Sequence, residues 1–345
     1  MKKYLSLSVV TATYNSVRTI ERNLQSVRSQ DYPQDKIEII VADGGSKDET
    51  REIAHSYGAK IIRVDPKLQS AEYNKSIGIN AARGEIILML DHDNVLPHKL
   101  WLSKMLKPFF DHPEVVGTET LRYHYDPSTT LIDRYFALFG AGDPIVWYLG
   151  KADRLSFIYD RYNLLGEAKD CGSYYLVKFQ AGEIPTVGAN GFLVRRSVLM
   201  QYAKTSPGSY FDMDVNVDII KAGFDTYAFV KDSVLHLTGY GNALNYLRRR
   251  ILFITQYHLG EKGLALKAAR RYEVFEKKDL LKLILVIFIC LTLIIPFIDS
   301  LRGWRKIHDP AWFLHPFLSF AFVVLYSWVI IKHQFNFYAE QLLGK

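Results

Sequence analysis

The first hundred residues alternate short apolar runs with amphipathic stretches, and this alternation restricts the possible folds more than any other feature. Four apolar runs predict β-strands: Leu5–Ala12, Ile37–Ala42, Lys60–Val64 and Glu85–Leu90. Three stretches between them predict helices: Val17–Gln30, Thr50–Tyr57 and Glu72–Ala82. This pattern is typical of a doubly wound parallel sheet, whose ligands lie beyond the carboxyl ends of the strands. We therefore expect the chemistry of this half in loops 11–15, 43–48 and 91–94.

Two common nucleotide-binding classes are disfavoured by the turns that follow these strands. None of them carries Gly-x-Gly-x-x-Gly or Gly-x-x-x-x-Gly-Lys at the start of a helix. A dinucleotide-dependent oxidoreductase and a P-loop NTPase both need such a turn to bring backbone amides close to phosphate.

Asp91-His92-Asp93 follows the most hydrophobic of the predicted strands. Two carboxylates at that place are costly unless a positive group neutralises them, and Mg²⁺ or Mn²⁺ prefers such oxygen ligands. The alternative is an ordinary solvated turn. Asp43–Asp48 also follows a strand, and it has a second interpretation as a glycine turn whose Ser46 or Asp48 caps the next helix.

Several fragments occur together in a set order. They are Thr11–Asn15, Gln30–Pro33, Glu38–Thr50, Asn74, Gly84-Glu85 and Asp91–Asn94. In order and spacing the set resembles the family 2 glycosyltransferases, which are inverting enzymes of the GT-A fold, and the resemblance covers roughly residues 5–240. It implies a donor nucleotide site made by Thr11, Tyr14, Asn15, Asp43, Asn74, Asp91 and His92, with Asp93 as a ligand of Mg²⁺ or Mn²⁺. Gly44 departs from the family, since many relatives carry a second Asp there, and we expect this to change the loop shape more than the chemistry.

The same resemblance extends to the second half of the chain. Gly188, Ala189, Asn190 and Gly191 are similar to the small-residue loop beside the acceptor, and His236 would be a further metal ligand or else a structural histidine. Phe211-Asp212-Met213-Asp214 matches the acidic motif that carries the general base, although Phe211 stands where a Glu is usual. The match selects Asp212 as the base, with Asp214 as second choice. The alternative role for Asp212 is a helix N-cap.

Arg248, Arg249 and Arg250 lie in a stretch of helical periodicity, Leu244–Leu259. They are either contacts for the leaving diphosphate, as in some relatives, or a basic stripe facing solvent or lipid headgroups. The Gln-x-x-Arg-Trp motif of processive polysaccharide synthases does not follow here, so a chain-extruding synthase is disfavoured.

Two long apolar stretches near the carboxyl end indicate a membrane protein. Leu280–Ile298 carries Lys282 as its only formal charge and Ala311–Ile331 carries none, and each is long enough to cross a bilayer as a helix. The alternative is a pair of buried core helices. Arg270, Arg271, Lys277 and Lys278 before the first stretch and Lys332 after the second favour a hairpin with both ends in the cytoplasm.

The charge distribution supports this interpretation. Residues 1–242 have a net charge of −1, and residues 243–345 have a net charge of +8. A nucleic-acid-binding protein is therefore disfavoured, whereas a cationic apolar region suits a membrane surface. Ser128–Ala168 is a further apolar segment, which forms core or guides a lipid acceptor along the bilayer.

These observations predict an α/β protein in four parts. A GT-A catalytic domain with a mixed sheet fills residues 1–240, interfacial amphipathic helices 241–279, a two-helix transmembrane hairpin 280–331 and a cytoplasmic tail 332–345. The expected activity is inverting transfer of a sugar from a UDP- or GDP-sugar to a lipid-linked acceptor at the cytoplasmic face, such as a polyprenyl phosphate, a lipid-linked sugar or a glycolipid. The alternatives are a catalytically silent membrane scaffold and a transferase with a soluble or polysaccharide acceptor.

Overall fold

The computed structural model describes residues 4–180, 186–255 and 279–342. The strands, numbered β1 to β10, are Leu7–Thr13, Ile37–Asp43, Lys60–Arg63, Ile86–Met89, Asn94–Val95, Gly117–Tyr123, Glu167–Asp170, Tyr174–Lys178, Phe192–Arg195 and Thr226–His236. The α-helices, numbered α1 to α12, are Ile20–Arg28, Thr50–Ser56, Ala71–Ala81, Trp101–Asp111, Leu131–Phe139, Pro144–Tyr148, Arg196–Tyr202, Asp212–Lys221, Ala243–Ile254, Leu280–Thr292, Ile294–Trp304 and Leu314–Leu342. Short 3₁₀ helices occupy Gln34–Lys36 and Pro310–Phe313.

The strands form one mixed sheet, so the predicted α/β class with a mixed sheet is confirmed. The strand order is β3-β2-β1-β4-β9-β6-β10-β8-β7, and β5 pairs with β10. Strands β1 to β4 are parallel to one another, as the strand–helix alternation predicts. The second half adds antiparallel pairs, because β9 runs against both β4 and β6 and β8 runs against β10.

The chain divides into two compact units. The first comprises residues 1–125, 153–155 and 161–237, and the second comprises 126–152, 156–160 and 238–345. The predicted catalytic domain, 1–240, therefore includes three stretches that group with the second unit, 126–152, 156–160 and 238–240. Most of the predicted interfacial region, residues 256–278, lies outside the described residues, as do the four cations at 270, 271, 277 and 278.

The first unit contains the whole sheet and its packing helices. Strand β4 is buried at all four positions, as expected for a strand covered on both faces. Leu88 and Leu90 pack in the same cluster as Leu24 and Val27 of α1 and Trp101 of α4. The carboxyl ends of β1, β2 and β4 lie at one edge of the sheet because these strands are parallel and in register.

The second unit is helical, and much of the apolar segment 128–168 belongs to its core. Phe139 of α5 stacks on His315 with ring centroids 4.0 Å apart and meets Trp312 edge-on at 4.8 Å. Asp143 accepts a hydrogen bond from Arg250 at 3.1 Å and another from Tyr326. Of the two interpretations of this segment, core packing therefore applies to these residues.

The two predicted membrane spans differ in form. Within the described residues one helix, Pro310–Gln334, is long and apolar enough to cross a bilayer. The other predicted span is not one straight helix, since it breaks at Leu293, which has φ of 61°, and α10 and α11 meet at a bend of 74°. The pair counts as a second crossing only if both helices are taken together.

Candidate active site

The loop after β2 is organised by Asp43. This fully buried carboxylate accepts hydrogen bonds from the backbone amides of Gly45 (3.1 Å) and Ser46 (2.9 Å) and from Thr13 Oγ1 (3.0 Å). Arg51 Nε lies 3.9 Å from it. Because three donors fix the Asp43 side chain, it holds the loop after β2 in one conformation.

The loop after β1 joins the loop after β2. Asn15, in the left-handed region with φ of 50°, donates its backbone amide to Ser46 Oγ at 2.8 Å and accepts from the Lys47 amide at 2.9 Å. Asn and Asp adopt this conformation more readily than other side chains. Tyr14 is exposed beside this junction, whereas Thr11 is fully buried within β1.

Gly44 lies where two polar side chains close over the loop. A Cβ at this position would come 2.8 Å from Asn74 Nδ2 and 2.9 Å from Gln69 Cβ. Asn74 is buried, and its amide donates to the Thr13 carbonyl at 3.4 Å. The loop is therefore packed too tightly for any side chain at position 44, which explains why glycine stands where many relatives carry a second Asp.

Asp91, His92 and Asp93 form the turn after β4, and its backbone is fixed from two sides. Asn23 donates to the Asp91 carbonyl at 2.9 Å, and the Asp91 amide donates to Asn94 Oδ1 at 3.1 Å. A hydrogen bond of 2.9 Å joins His92 Nδ1 to Thr19 Oγ1. The carboxylates of Asp91 and Asp93 both remain partly exposed.

Asp93 pairs with His236, the last residue of β10. His236 Nε2 lies 3.4 Å from Asp93 Oδ2. Burial alone would raise the pKa of Asp93, but the neighbouring imidazole outweighs it and lowers that pKa overall. Burial alone would lower the pKa of His236, and Asp93 raises it overall.

Asp212 begins α8, and its carboxylate meets a buried lysine. Lys75 Nζ of α3 lies 2.7 Å from Asp212 Oδ2 and 3.2 Å from Asp91 Oδ1, and the Tyr210 hydroxyl donates to Asp212 Oδ1 at 2.8 Å. Phe211 occupies the N-cap position without a side-chain cap bond, so Asp212 is not the N-cap. Burial and the charge of Asp91 raise the pKa of Asp212, against the opposing effect of Lys75. Asp214, the second choice, is almost completely buried.

The loop 188–191 lies directly against Asp212. Gly188 has φ of 120°, and a Cβ there would come 2.5 Å from the Asp212 carbonyl oxygen, so this close approach requires glycine. Asn190, with φ of 55°, donates to the Tyr123 hydroxyl and accepts from Asn94, both at 3.1 Å. The structure thus brings the predicted acceptor loop, the predicted base and the turn after β4 together.

A buried pair, Arg154 and Glu119, contacts the loop 188–191. Arg154 pairs with Glu119 at 2.6 Å, and both side chains are almost completely buried. Arg154 also donates to the Asn190 carbonyl at 3.0 Å. Removing one partner of such a buried pair costs roughly 3–5 kcal/mol, so the pair fixes the backbone of the loop strongly.

Lys75, Glu119 and Arg154 were not among the residues that the sequence predicted. Lys75 follows the predicted Asn74 directly, and the available signal was a lysine close to Ser76, Gly78 and Ile79 in the predicted helix. Glu119 and Arg154 are 35 residues apart, and no local pattern joins them. Arg250 pairs with Asp143 and Tyr326 in the second unit, while Arg248 and Arg249 are exposed.

The donor groups of Asp93 and His236 fit a divalent metal ion. A carboxylate oxygen and an imidazole nitrogen 3.4 Å apart are close enough to contact one ion. Among the described residues no group of three or more His, Cys, Asp or Glu side chains is placed to hold an ion alone. Mg²⁺ and Mn²⁺ commonly complete their coordination with substrate phosphates and water, which suits a site with two protein ligands.

Comparison with known families gives the family of the chain. The family described as glycosyl transferase family 2 matches residues 8–202, which is more than half of the chain. The chain therefore belongs to glycosyl transferase family 2, and the predicted resemblance is confirmed.

Curated relatives match only part of the chain. Glycosyltransferase AglE of Haloferax volcanii is 34% identical over 133 residues, which cover 37% of this chain and 43% of AglE. The GalNAc(5)-diNAcBac-PP-undecaprenol beta-1,3-glucosyltransferase of Campylobacter jejuni is 32% identical over 95 residues, which cover 26% of this chain and 30% of that enzyme. The match thus spans less than half the length of each of these relatives.

Solved structures align with most of the chain at low identity. The mannosyltransferase PcManGT of Pyrobaculum calidifontis, in complex with GDP-Man and Mn²⁺, is 15% identical with a TM-score of 0.49, over 97% of this chain and 88% of that one. Staphylococcus aureus TarS 1–349 is 13% identical with a TM-score of 0.47, over 96% and 92% of the two chains.

Proposed function

We propose that this protein transfers a sugar, with inversion, from a UDP- or GDP-sugar to a lipid-linked acceptor at the cytoplasmic membrane surface. The observation that carries the proposal is the grouping of Asp91, Asp93 and Asp212 beside the loop 188–191 in one unit of a family 2 glycosyltransferase. Three carboxylates at the carboxyl edge of a doubly wound sheet suit a site that binds a metal diphosphate and activates a hydroxyl group.

The donor side of the site uses the two joined loops and the turn after β4. Asp43, Asn15 and Tyr14 are proposed to line the nucleotide pocket, with Asn74 closing it. Asp93 and His236 would hold Mg²⁺ or Mn²⁺, which supplies charge neutralisation at the leaving diphosphate when it is bound. Asp91, which is partly exposed, is proposed to contact the ribose or diphosphate.

The acceptor side uses Asp212 as the general base. When the acceptor oxygen attacks the anomeric carbon, its proton passes to a carboxylate oxygen of Asp212. A new bond then joins acceptor oxygen and sugar while the bond from sugar to diphosphate breaks, and the nucleoside diphosphate leaves. Because attack and departure occur on opposite faces of the sugar, the configuration is inverted. The position of Asp212 against the loop 188–191 supports this role.

A membrane acceptor is supported by the second unit. Its helices expose large apolar side chains, among them Leu281 (82% exposed), Phe288 (65%) and Ile331 (65%). Exposed apolar patches of this kind mark membrane or protein interaction surfaces. The name of the Campylobacter relative includes an undecaprenol diphosphate acceptor. We propose that α10, α11 and α12 attach the enzyme to the bilayer in which its acceptor lies.

The experiment that tests this function measures sugar transfer by the full-length protein in lipid vesicles. Radiolabelled UDP-glucose, UDP-GlcNAc and GDP-mannose are supplied one at a time with Mn²⁺, and the vesicles contain either undecaprenyl phosphate or a total lipid extract. We expect label from one donor to enter the lipid phase and to need both the metal ion and Asp212. Label that enters only water-soluble products would support a soluble or polysaccharide acceptor. Folded protein that neither binds nor turns over any donor would support the silent scaffold.

A further inference from the structure

Lys75 is a buried cation that contacts a carboxylate on each side of the candidate site. It lies within α3 and is 4% exposed, and its Nζ is 2.7 Å from Asp212 and 3.2 Å from Asp91. Lysine is rarely buried unless it is paired, because desolvating an ammonium group is costly. The two carboxylates outweigh that cost and raise the pKa of Lys75 despite burial, so the residue stays charged.

The partners of Lys75 come from different parts of the chain. Asp91 belongs to the turn after β4, whereas Asp212 begins α8. The other groups facing this cluster are the Tyr210 hydroxyl on Asp212 and the charge of Glu72 near Lys75. Without the ammonium group, the Asp91 and Asp212 carboxylates would face each other with no cation between them, and their like charges would repel.

We propose that Lys75 is a positioning residue for sugar transfer, whose ammonium group holds the Asp212 carboxylate in place and joins it to the donor loop through Asp91. This inference rests on the proposed role of Asp212 as the base. Each oxygen of a carboxylate has two lone pairs, so Asp212 still has capacity for the acceptor proton while it is bonded to Lys75 and Tyr210.

The geometry favours a functional role over a purely structural one. A buried ion pair is weak evidence for stability, because apolar residues of the same volume often serve as well. Here one cation is shared by two carboxylates that both keep partial exposure, and both lie in the predicted reaction site. Lys75 opposes the rise in the pKa of Asp212 that burial and the charge of Asp91 cause.

The test compares Lys75→Met with Tyr210→Phe in the full-length protein. Methionine keeps most of the length of the side chain without its charge, and Tyr210→Phe removes a neutral hydrogen bond from the same carboxylate. The reaction is Mn²⁺-dependent release of nucleoside diphosphate from UDP-glucose, UDP-GlcNAc or GDP-mannose, with water or vesicle lipid as acceptor. It is measured as a function of pH at saturating metal and donor, and calorimetry gives the donor Kd.

We expect Lys75→Met to lower kcat by about 10²-fold and to move the acidic limb of its pH profile upward by about one unit or more. The donor Kd should change less than about threefold, since kcat and not ground-state binding depends on the base. Tyr210→Phe should move the limb less, because it removes no charge. In Lys75→Ala, added ethylammonium should restore part of kcat by filling the site with a cation.

The outcomes separate this inference from the proposed function. If Asp212→Asn releases nucleoside diphosphate as fast as the wild type, or if the wild type acts on none of the donors, the base assignment fails and the role of Lys75 fails with it. If Asp212→Asn is inactive but folded Lys75→Met keeps the wild-type limb and kcat, only the role of Lys75 is wrong. If donor affinity and kcat fall by equal factors and the acidic limb of the pH profile does not move, Lys75 would be a donor-binding residue and the proposal would be wrong.

Discussion

The candidate site of the first unit and the helical second unit differ in how their acidic side chains are balanced. In the first, Asp91, Asp93 and Asp212 share one lysine and one histidine. In the second, each of three buried carboxylates has its own guanidinium: Arg250 lies 3.1 Å from Asp143, Arg134 lies 2.8 Å from Asp309, and Arg302 lies 3.1 Å from Asp299. One-to-one pairs suit a structural role, whereas an excess of carboxylates suits the metal ion proposed above.

The largest expected effect is at the base. Asp212→Asn keeps the size of the side chain but removes its ability to accept a proton, so turnover should fall by about 10²–10⁴-fold while donor binding survives. Asp214→Asn is the matched control and should have a milder effect. Steady-state kinetics together with calorimetric donor binding checks both variants. A severe loss in Asp214→Asn and a mild one in Asp212→Asn would reverse the assignment.

The second prediction concerns the excess negative charge beside His236. Asp93→Ala should abolish the Mn²⁺ dependence of UDP or GDP binding, because it removes the carboxylate proposed to hold the ion. Glu72→Ala removes a carboxylate near Lys75 that is not proposed to bind metal and should keep that dependence. Titration calorimetry with and without Mn²⁺ measures it. Unchanged metal dependence in folded Asp93→Ala would exclude the assigned role.

The first four strands and their helices could be predicted from the sequence because each is encoded by local periodicity. Strands β1 to β4 and helices α1 to α3 lie within a few residues of their predicted positions. The parallel topology also predicted that the loops at the carboxyl ends of these strands lie together. Long-range charge pairing has no such local pattern, and Lys75 meets Asp212 across 137 positions.

The second unit was harder to predict for the same reason. Residues 126–152 pack with helices that follow more than a hundred residues later, and hydrophobicity alone did not separate core from membrane contact. The bend at Leu293 also escaped the prediction, although Pro296 shortly after it was a signal, since proline removes a backbone donor from a helix.

The third prediction tests whether the pairs of the second unit are structural. Arg250→Leu leaves Asp143 without its guanidinium and should lower the free energy of unfolding by up to about 3 kcal/mol. Arg249→Leu, at an exposed position of the same helix, should change it by less than about 0.5 kcal/mol. Thermal unfolding in detergent measures both. If Arg250→Leu loses donor affinity but keeps its stability, the result would instead favour a contact between Arg250 and the leaving diphosphate.

The fourth prediction concerns the apolar surface of the bent pair α10–α11. Leu281→Asp combined with Phe288→Asp should reduce the fraction of protein that resists alkaline extraction from membranes, because each charge at bilayer depth costs roughly 2.5–3.5 kcal/mol. Leu68→Asp with Leu100→Asp, at exposed apolar positions of the first unit, is the control and should have no effect. Unchanged extraction of the first variant would place α10 outside the bilayer.

A reporter at each end of the chain sharpens the same question. If the bent pair and α12 make two crossings, both reporters should lie on the cytoplasmic side, as the positive charges near the spans predict. If α12 alone crosses, the two reporters should lie on opposite sides. Protease protection in intact cells and in inverted vesicles distinguishes these arrangements.

The smallest expected effect is at Gly44, where the donor loop differs from many relatives. Gly44→Asp and Gly44→Ala should destabilise the protein by similar amounts, about 1–3 kcal/mol, because the Cβ atom itself meets Asn74 and Gln69. Gln69→Ala keeps its own Cβ but removes Oε1, which would lie 3.0 Å from the new Cβ, so it should recover a small part of that loss in combination with either variant. Thermal unfolding of the three single and two double variants measures the coupling. If Gly44→Asp alone were neutral and raised the affinity for Mn²⁺ and nucleotide, the glycine would limit the chemistry of the loop and not only its shape.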